Sequence, residues 1–423
     1  MRLLFGLSAA VALLASQLAG EQFPLKAGVA RVEITPSESM PMYGYSNRKC
    51  GPANGTHDPL FAKVLVLAAG DARVAIVTLD LGSFVSEVVH REASEKLAIP
   101  LALLAASHTH SAPQFPMGSD ASPYREGTER KILNAIQEAS KSMFPARLSV
   151  GRGSIQLGYN RLLQRDDGRA RALFDNLERV PYGPVDPEFA LLRVDDDAGK
   201  ARALLVHYAA HAVVLGPTSC KYSADYPGVV QARVEAEMPG VQCMFVQGGA
   251  GDINPLFQGR TGREEEDFAT TRKMGELLAA EVLAARKSIL SVGELTAPIR
   301  FKSEILKFGD RWDKTKSVEV GITTLSIGRQ IAIAAVPGEP MHKLQTAWKR
   351  RADVPHPLFY GYTTTSGHSW PGYIPDLRSA AYGGYGADAS TRIEVGAGEA
   401  ILERHLINLY GLIGMWRDAP GRP

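Results

Sequence analysis

Apolar, β-branched runs of strand length alternate with longer amphipathic stretches along most of the chain. "RVAIVTLDLG" at 73–82 is one such run, and a helical stretch at 84–97 follows it. "ALLAASHTH" reads as the next strand and 128–143 as the next helix. "EFALLRVDD" and "ARALLVHYAAHAVVLG" read as strands, and "QCMFVQGGAGDINP" as a strand running into a glycine-rich turn. A long amphipathic helix covers 264–289. "QIAIAAVPGEP" is a further strand, opening at Glu339 into a helix of about thirteen residues, and a last helix lies near 397–413. Strands alternating with helices predict an α/β fold. "KSEILKFG" has the period of an antiparallel strand with one wet face, so mixed β-sheets flanked by helices are expected. Neither an internal repeat nor a Pro/Gly/Ser-rich linker is visible, which predicts a single compact domain over 21–423.

The charges are balanced, 47 basic against 45 acidic residues. Such a chain offers nothing to nucleic acid. "MRLLFGLSAAVALLASQLAG" has one Arg, an apolar run and then small residues, the layout of a signal peptide over 1–20. A membrane anchor is the alternative, but the run is short for a span and no second one follows. A secreted or periplasmic protein is therefore expected. With only Cys50, Cys220 and Cys243, at most one pair can close and one thiol is left over. No C-x-x-C occurs, which excludes a cysteine zinc site.

Polar residues gather where the apolar runs stop: Asp80, His108 and His110, His207 and His211, Asp252, Glu339. Ligands of open α/β sheets bind beyond strand ends. On a strand, His108 and His110 would share a face. They could be two metal ligands, one ligand and one acid/base, or two ordinary polar residues. Imidazole nitrogens with a carboxylate suit zinc, and H-E-x-x-H is absent. Asp80 either orients a histidine or a loop, or caps the next helix. His207 is read as structural, and Cys220 as a packing residue or a disulfide partner.

The blocks also resemble a family. "SHTHSAP" is similar to the T-H-T-H-S-G-P signature of neutral, non-lysosomal ceramidases. "VHYAAHAVVLGPTSCKYSADYPG", "GGAGDINP", "VPGEP", "GYIPDLRSAAYGGYG" and "GYNRL" resemble the family's other blocks, between about residue 27 and about 412. The resemblance implies a zinc-dependent hydrolase of an N-acyl amide bond, ceramide among its substrates. It implies zinc on His108, His211, Glu339 and Tyr385. His110 then either supports the ligands from behind or acts as an acid/base; His110 or Asp252 manages protons, and Asn254 and Arg161, next to Asn160, steady developing charge. A small-molecule or lipid amide substrate and transient contact with a membrane surface follow, and no nucleic acid. The family's C-terminal β-sandwich is not expected in these residues.

One departure changes the expected chemistry. The family's nucleophilic Ser position holds Asn254 here, and an amide cannot form an acyl-enzyme. Water activated at the metal is then the expected attacking group. The alternatives are a zinc- or lipid-binding protein on the same scaffold, or a hydrolase of another amide or an ester. A metallophosphoesterase is disfavoured, because its early D-x-H and G-N-H-D/E blocks are missing.

Overall fold

The computed structural model describes residues 22–115, 122–365 and 370–416. The proposed leader at 1–20 lies outside the described residues. The rest folds as one mixed α/β body built from three like units.

In the first unit β1 (Lys26–Glu33), β2 (Phe61–Ala69) and β3 (Ala72–Leu79) run antiparallel in succession. Helix α1 (Glu87–Leu97) then crosses to β4 (Leu101–Ala106), which lies parallel to β3, and α2 (Pro123–Lys141) follows. The second unit repeats the plan with β5 (Phe144–Ser154), β6 (Glu188–Asp196) and β7 (Ala201–Tyr208). Helix α3 (Asp225–Glu237), β8 (Gln242–Gln247), parallel to β7, and α4 (Glu264–Ala285) complete it. The third has β9 (Ile299–Gly309), β10 (Ser317–Ile327), β11 (Ile331–Ala335), α5 (His342–Arg351) and β12 (His356–Tyr360), parallel to β11. Helices α6 (Leu377–Tyr382) and α7 (Ala397–Leu412) end it. The repeat escapes the sequence because each unit meets the same burial pattern with different residues.

Strand β5 pairs with β1 through Lys26↔Pro145 and Ala27↔Phe144, which fuses two units into one long sheet. The third unit keeps its own four-stranded sheet. Its Thr363–Thr364 segment adds to the outer edge of β4. Successive side chains of a strand face opposite ways, and the core shows it. Val74 and Ile76 of β3, Leu205 of β7 and Ile333 of β11 enter one central cluster shared by all three units. Their neighbours Ala75 and Val77, Leu204 and Val206, and Ala332 and Ala334 point outward under each unit's own helices. Both faces are dry, hence the nearly unbroken apolar runs.

Some expectations need correction. Strand β7 stops at Tyr208, and 209–216 turn away as a loop, with the His211 amide donating to Ile253 O at 3.0 Å. Strand β4 stops at Ala106, and His108 takes a left-handed φ of 65°. The two histidine pairs therefore do not share a pleated face. Helix α3 was not anticipated, and it forms in spite of Pro227 and Gly228. Pro227 falls in its first turn, where a missing N–H is tolerated.

Candidate metal centre

The three units aim one loop each at a common point. His108 follows β4, His211 follows β7 and Glu339 follows β11, and all three are buried. Their ligand atoms lie within 4.8 Å of one another. Gln247, at the end of β8, clamps two of these loops, its amide donating to Ser107 O at 3.2 Å and Ala210 O at 2.8 Å.

Hydrogen bonds fix the tautomers. His108 Nδ1 lies 2.7 Å from Gly82 O, and His211 Nδ1 lies 2.6 Å from Ala250 O. A carbonyl only accepts, so each Nδ1 donates and the lone pair of each neutral ring sits on Nε2. Those Nε2 atoms face one oxygen of Glu339, at 3.4 Å from His108 and 3.0 Å from His211. Burial, then the Arg161 charge, pushes the His211 pKa down to about 4. Burial pushes the Glu339 carboxyl up; a positive charge or an N–H on the adjoining imidazoles would hold it well below its usual range, but with both Nε2 lone pairs turned toward it that part falls to a bound cation. An ionised carboxylate beside a ring that resists protonation is balanced only by another cation. Ligands about 2.0–2.1 Å from a tetrahedral ion stand roughly 3.3 Å apart, so the spacing and donor chemistry fit a divalent metal such as zinc.

His110 joins from the side, its Nε2 3.2 Å from His108 Nε2. Its Nδ1 is buried without a partner among the described residues, and burial holds its pKa well below the usual value. Tyr43 and Tyr45 wall it at ring distances of 5.5 and 4.8 Å. Gly44 permits this approach: a Cβ there would sit 2.2 Å from the imidazole. Arg48 secures the strap, donating to Tyr43 O at 3.1 Å and to His110 O at 2.6 Å. A disulfide between Cys50 and Cys220 pins it to the loop before α3, leaving Cys243 as the buried free thiol.

Arg161 and Asn254 meet. Short strands Gly158–Asn160 and Ile253–Pro255 pair antiparallel. Arg161 Nη1 donates to Asn254 Oδ1 at 3.1 Å and Nη2 to Gly251 O at 2.6 Å. The guanidinium lies over Tyr373 and Tyr385, 5.3 and 5.2 Å from their centroids. Asp252 is drawn elsewhere. One oxygen accepts from the His342 amide at 2.9 Å; the other meets His342 Nδ1 at 2.6 Å and the Asn160 amide at 2.9 Å. Although burial opposes it, His342 holds the Asp252 carboxyl below its usual range. Tyr385 is 36% exposed, its ring 5.5 Å from that of Tyr373. The tyrosine opposite Glu339 in the parallel Glu339–Pro340/Tyr373–Ile374 pairing is the buried Tyr373.

Two secondary readings resolve. His207 is structural: its Nε2 meets Phe359 O at 2.7 Å in the core. Asp80 neither orients a histidine nor caps α1. It accepts from Phe61 N and from Gln231, while Ser86 caps the helix. Sequence reasoning missed Tyr43, Tyr45, Tyr362, Tyr373 and His342. Only the tyrosine-rich block around Tyr373 carried a signal.

The fold resembles that of the neutral ceramidase from Pseudomonas aeruginosa, with a TM-score of 0.75 at 17% identity over 95% of this chain and 76% of that one. It also resembles a ceramidase solved in complex with C2, with a TM-score of 0.76 at 16% identity over 95% and 77% of the two chains. Residues 25–275 match the profile of the N-terminal region of the neutral/alkaline non-lysosomal ceramidases, more than half of the chain. The chain belongs to the neutral/alkaline non-lysosomal ceramidase family.

Proposed function

We propose that this protein is a zinc-dependent amidohydrolase that cleaves the N-acyl amide bond of a ceramide-like lipid. The observation that carries the reading is the convergence of His108, His211 and Glu339, with two Nε2 lone pairs aimed at one carboxylate oxygen. Family membership and the neighbour solved with C2 support the substrate class. A zinc ion held by these three residues supplies Lewis acidity toward an acyl carbonyl and lowers the pKa of water.

The chain's own residues supply the rest. His110 is kept neutral by burial and is placed to take a proton. Arg161 provides a fixed positive charge for a developing oxyanion, aligned by Asn254 and Gly251 O. Asn254 offers no nucleophile, so the acyl group is not transferred to it. Asp252 steadies the 248–254 turn through His342. For a fourth metal donor the register favours Tyr373, with Tyr385 packed outside it. Tyr373→Phe is expected to lower zinc content and Tyr385→Phe to leave it; the reverse, read by metal analysis, would return the position to Tyr385. We also propose export through the leader at 1–20, since the Cys50–Cys220 bond suits an oxidising compartment. Among the described residues no helix is long and apolar enough to cross a membrane, and the lipid is met by transient surface contact.

The test is fatty-acid release from N-acyl sphingosines, shorter N-acyl amides and an ester by purified, zinc-analysed protein. Glu339→Ala and His211→Ala should each cut the rate by roughly a thousandfold. Undiminished hydrolysis in either variant would sink the metal mechanism. Zinc binding without hydrolysis of any substrate would leave a non-catalytic binder on this scaffold.

A further inference from the structure

Tyr362 has no role in the scheme above, yet it is held at the centre at evident cost. Its side chain is 1% exposed, and its hydroxyl is buried with no hydrogen-bond partner among the described residues. A buried polar group without a partner is uncommon. Its backbone has φ 56°, a left-handed conformation that a bulky aromatic residue rarely adopts. Strain of this kind persists only where the surroundings enforce it, and it clusters at functional sites.

The surroundings do enforce it. The Tyr362 amide donates to Gly338 O at 3.1 Å, next to Glu339, and its carbonyl accepts from Ala106 N at 3.0 Å, two residues before His108. Its ring stands 4.5 Å from that of His108 and 6.0 Å from that of His211. The charges that reach its hydroxyl include those of Glu339 and Arg161.

The repeat explains why this position points inward. His108 lies two residues beyond the end of β4, and Tyr362 two residues beyond the end of β12. Each strand is the last, parallel strand of its unit. Both residues are left-handed, with φ 65° and 56°. Both amides donate to the loop after the unit's third strand, His108 to Leu81 O and Tyr362 to Gly338 O. The turn that aims a ligand at the centre in the first unit thus aims a phenol at it in the third.

We propose that the Tyr362 hydroxyl is a catalytic hydrogen-bond donor to the acyl oxygen of the substrate at the His108–His211–Glu339 centre. This rests on the amidohydrolase reading above. A phenol keeps its proton near neutrality and offers one O–H. No bond to Tyr362 forms or breaks: the proton stays on the phenol, and the hydrogen bond strengthens as charge builds on the acyl oxygen. Substrate then supplies the partner that none of the described residues provides.

Tyr362→Phe removes only the hydroxyl. Expected are a kcat roughly 100- to 1000-fold lower, KM within about threefold, and unchanged zinc per chain. The melting temperature of the metal-free variant should match or exceed wild type, because the deleted group has no partner to lose. A wild-type kcat, a loss of zinc, or a clear drop in that melting temperature would each overturn the proposal. The last readout needs no activity. Glu339→Ala run alongside separates the two ideas: an active Glu339→Ala defeats the metal mechanism, whereas an inactive one beside a fully active Tyr362→Phe defeats only the role of Tyr362.

Discussion

Asp80 and Glu339 are both buried carboxylates, and each follows the third strand of its unit, one after β3 and the other after β11. Their neighbours differ in kind. Asp80 meets donors: the Phe61 amide at 2.9 Å and the Gln231 amide at 3.0 Å. Burial pushes its pKa up to about 6, against the pull of Lys63. Glu339 meets two imidazole nitrogens whose protons are committed elsewhere, so its negative charge is left for a bound cation to balance. Position and burial are alike. What separates a structural acid from a ligand is whether its neighbours bring hydrogens or lone pairs.

The largest effect that could break this comparison is on turnover. Glu339→Ala should cut hydrolysis roughly a thousandfold and lower zinc content, while Asp80→Asn, assayed beside it, should stay within a few-fold of wild type in both. Comparable losses would show that Asp80 reaches the centre after all.

Next is stability around a third acid. Asp252 stays charged because His342 pairs with it at 2.6 Å. Stranding a buried charge typically costs about 3–5 kcal/mol, so His342→Ala should lose that much in urea unfolding. A loss below about 1 kcal/mol, the scale of a single neutral hydrogen bond, would mean that Asp252 has other support.

The smallest effect is a sign. Asp80 has a raised folded pKa, so its contribution to stability is full below about pH 4 and is lost as pH rises through about 6. The swing is about 3 kcal/mol. Asp252 has a lowered pKa, so its contribution is present above the unfolded value near 4 and is lost as pH falls below it. The stability difference between wild type and Asp80→Asn, followed from pH 4 to 7, should therefore slope against the protein as pH rises. A flat difference would mean that Asp80 titrates normally.

Apolar runs announce strand ends, so His108, His211 and Glu339 stood out among seven polar residues just beyond them, and it was the family resemblance that set these three apart as ligands. Counting limited the disulfides to at most one without choosing which two of the three cysteines it joins. Tyr373 was passed over because its place opposite Glu339 is set by a register between segments 34 residues apart, which leaves no local mark. His342 looked like part of the helix opening at Glu339, and nothing in the pattern singled out Tyr362. The triple repeat was hidden for the opposite reason: alternating burial constrains the kind of residue at each position, and many sequences satisfy it.

Because the three candidate ligands are shared out one to a repeat, the centre is a late arrival in the life of each molecule. A ribosome must release the third repeat before any ion can be gripped, and a nascent or proteolysed chain that lacks it holds two imidazoles and no carboxylate. Capture of the ion would then act as a checkpoint on assembly, closing only once all three lobes have docked.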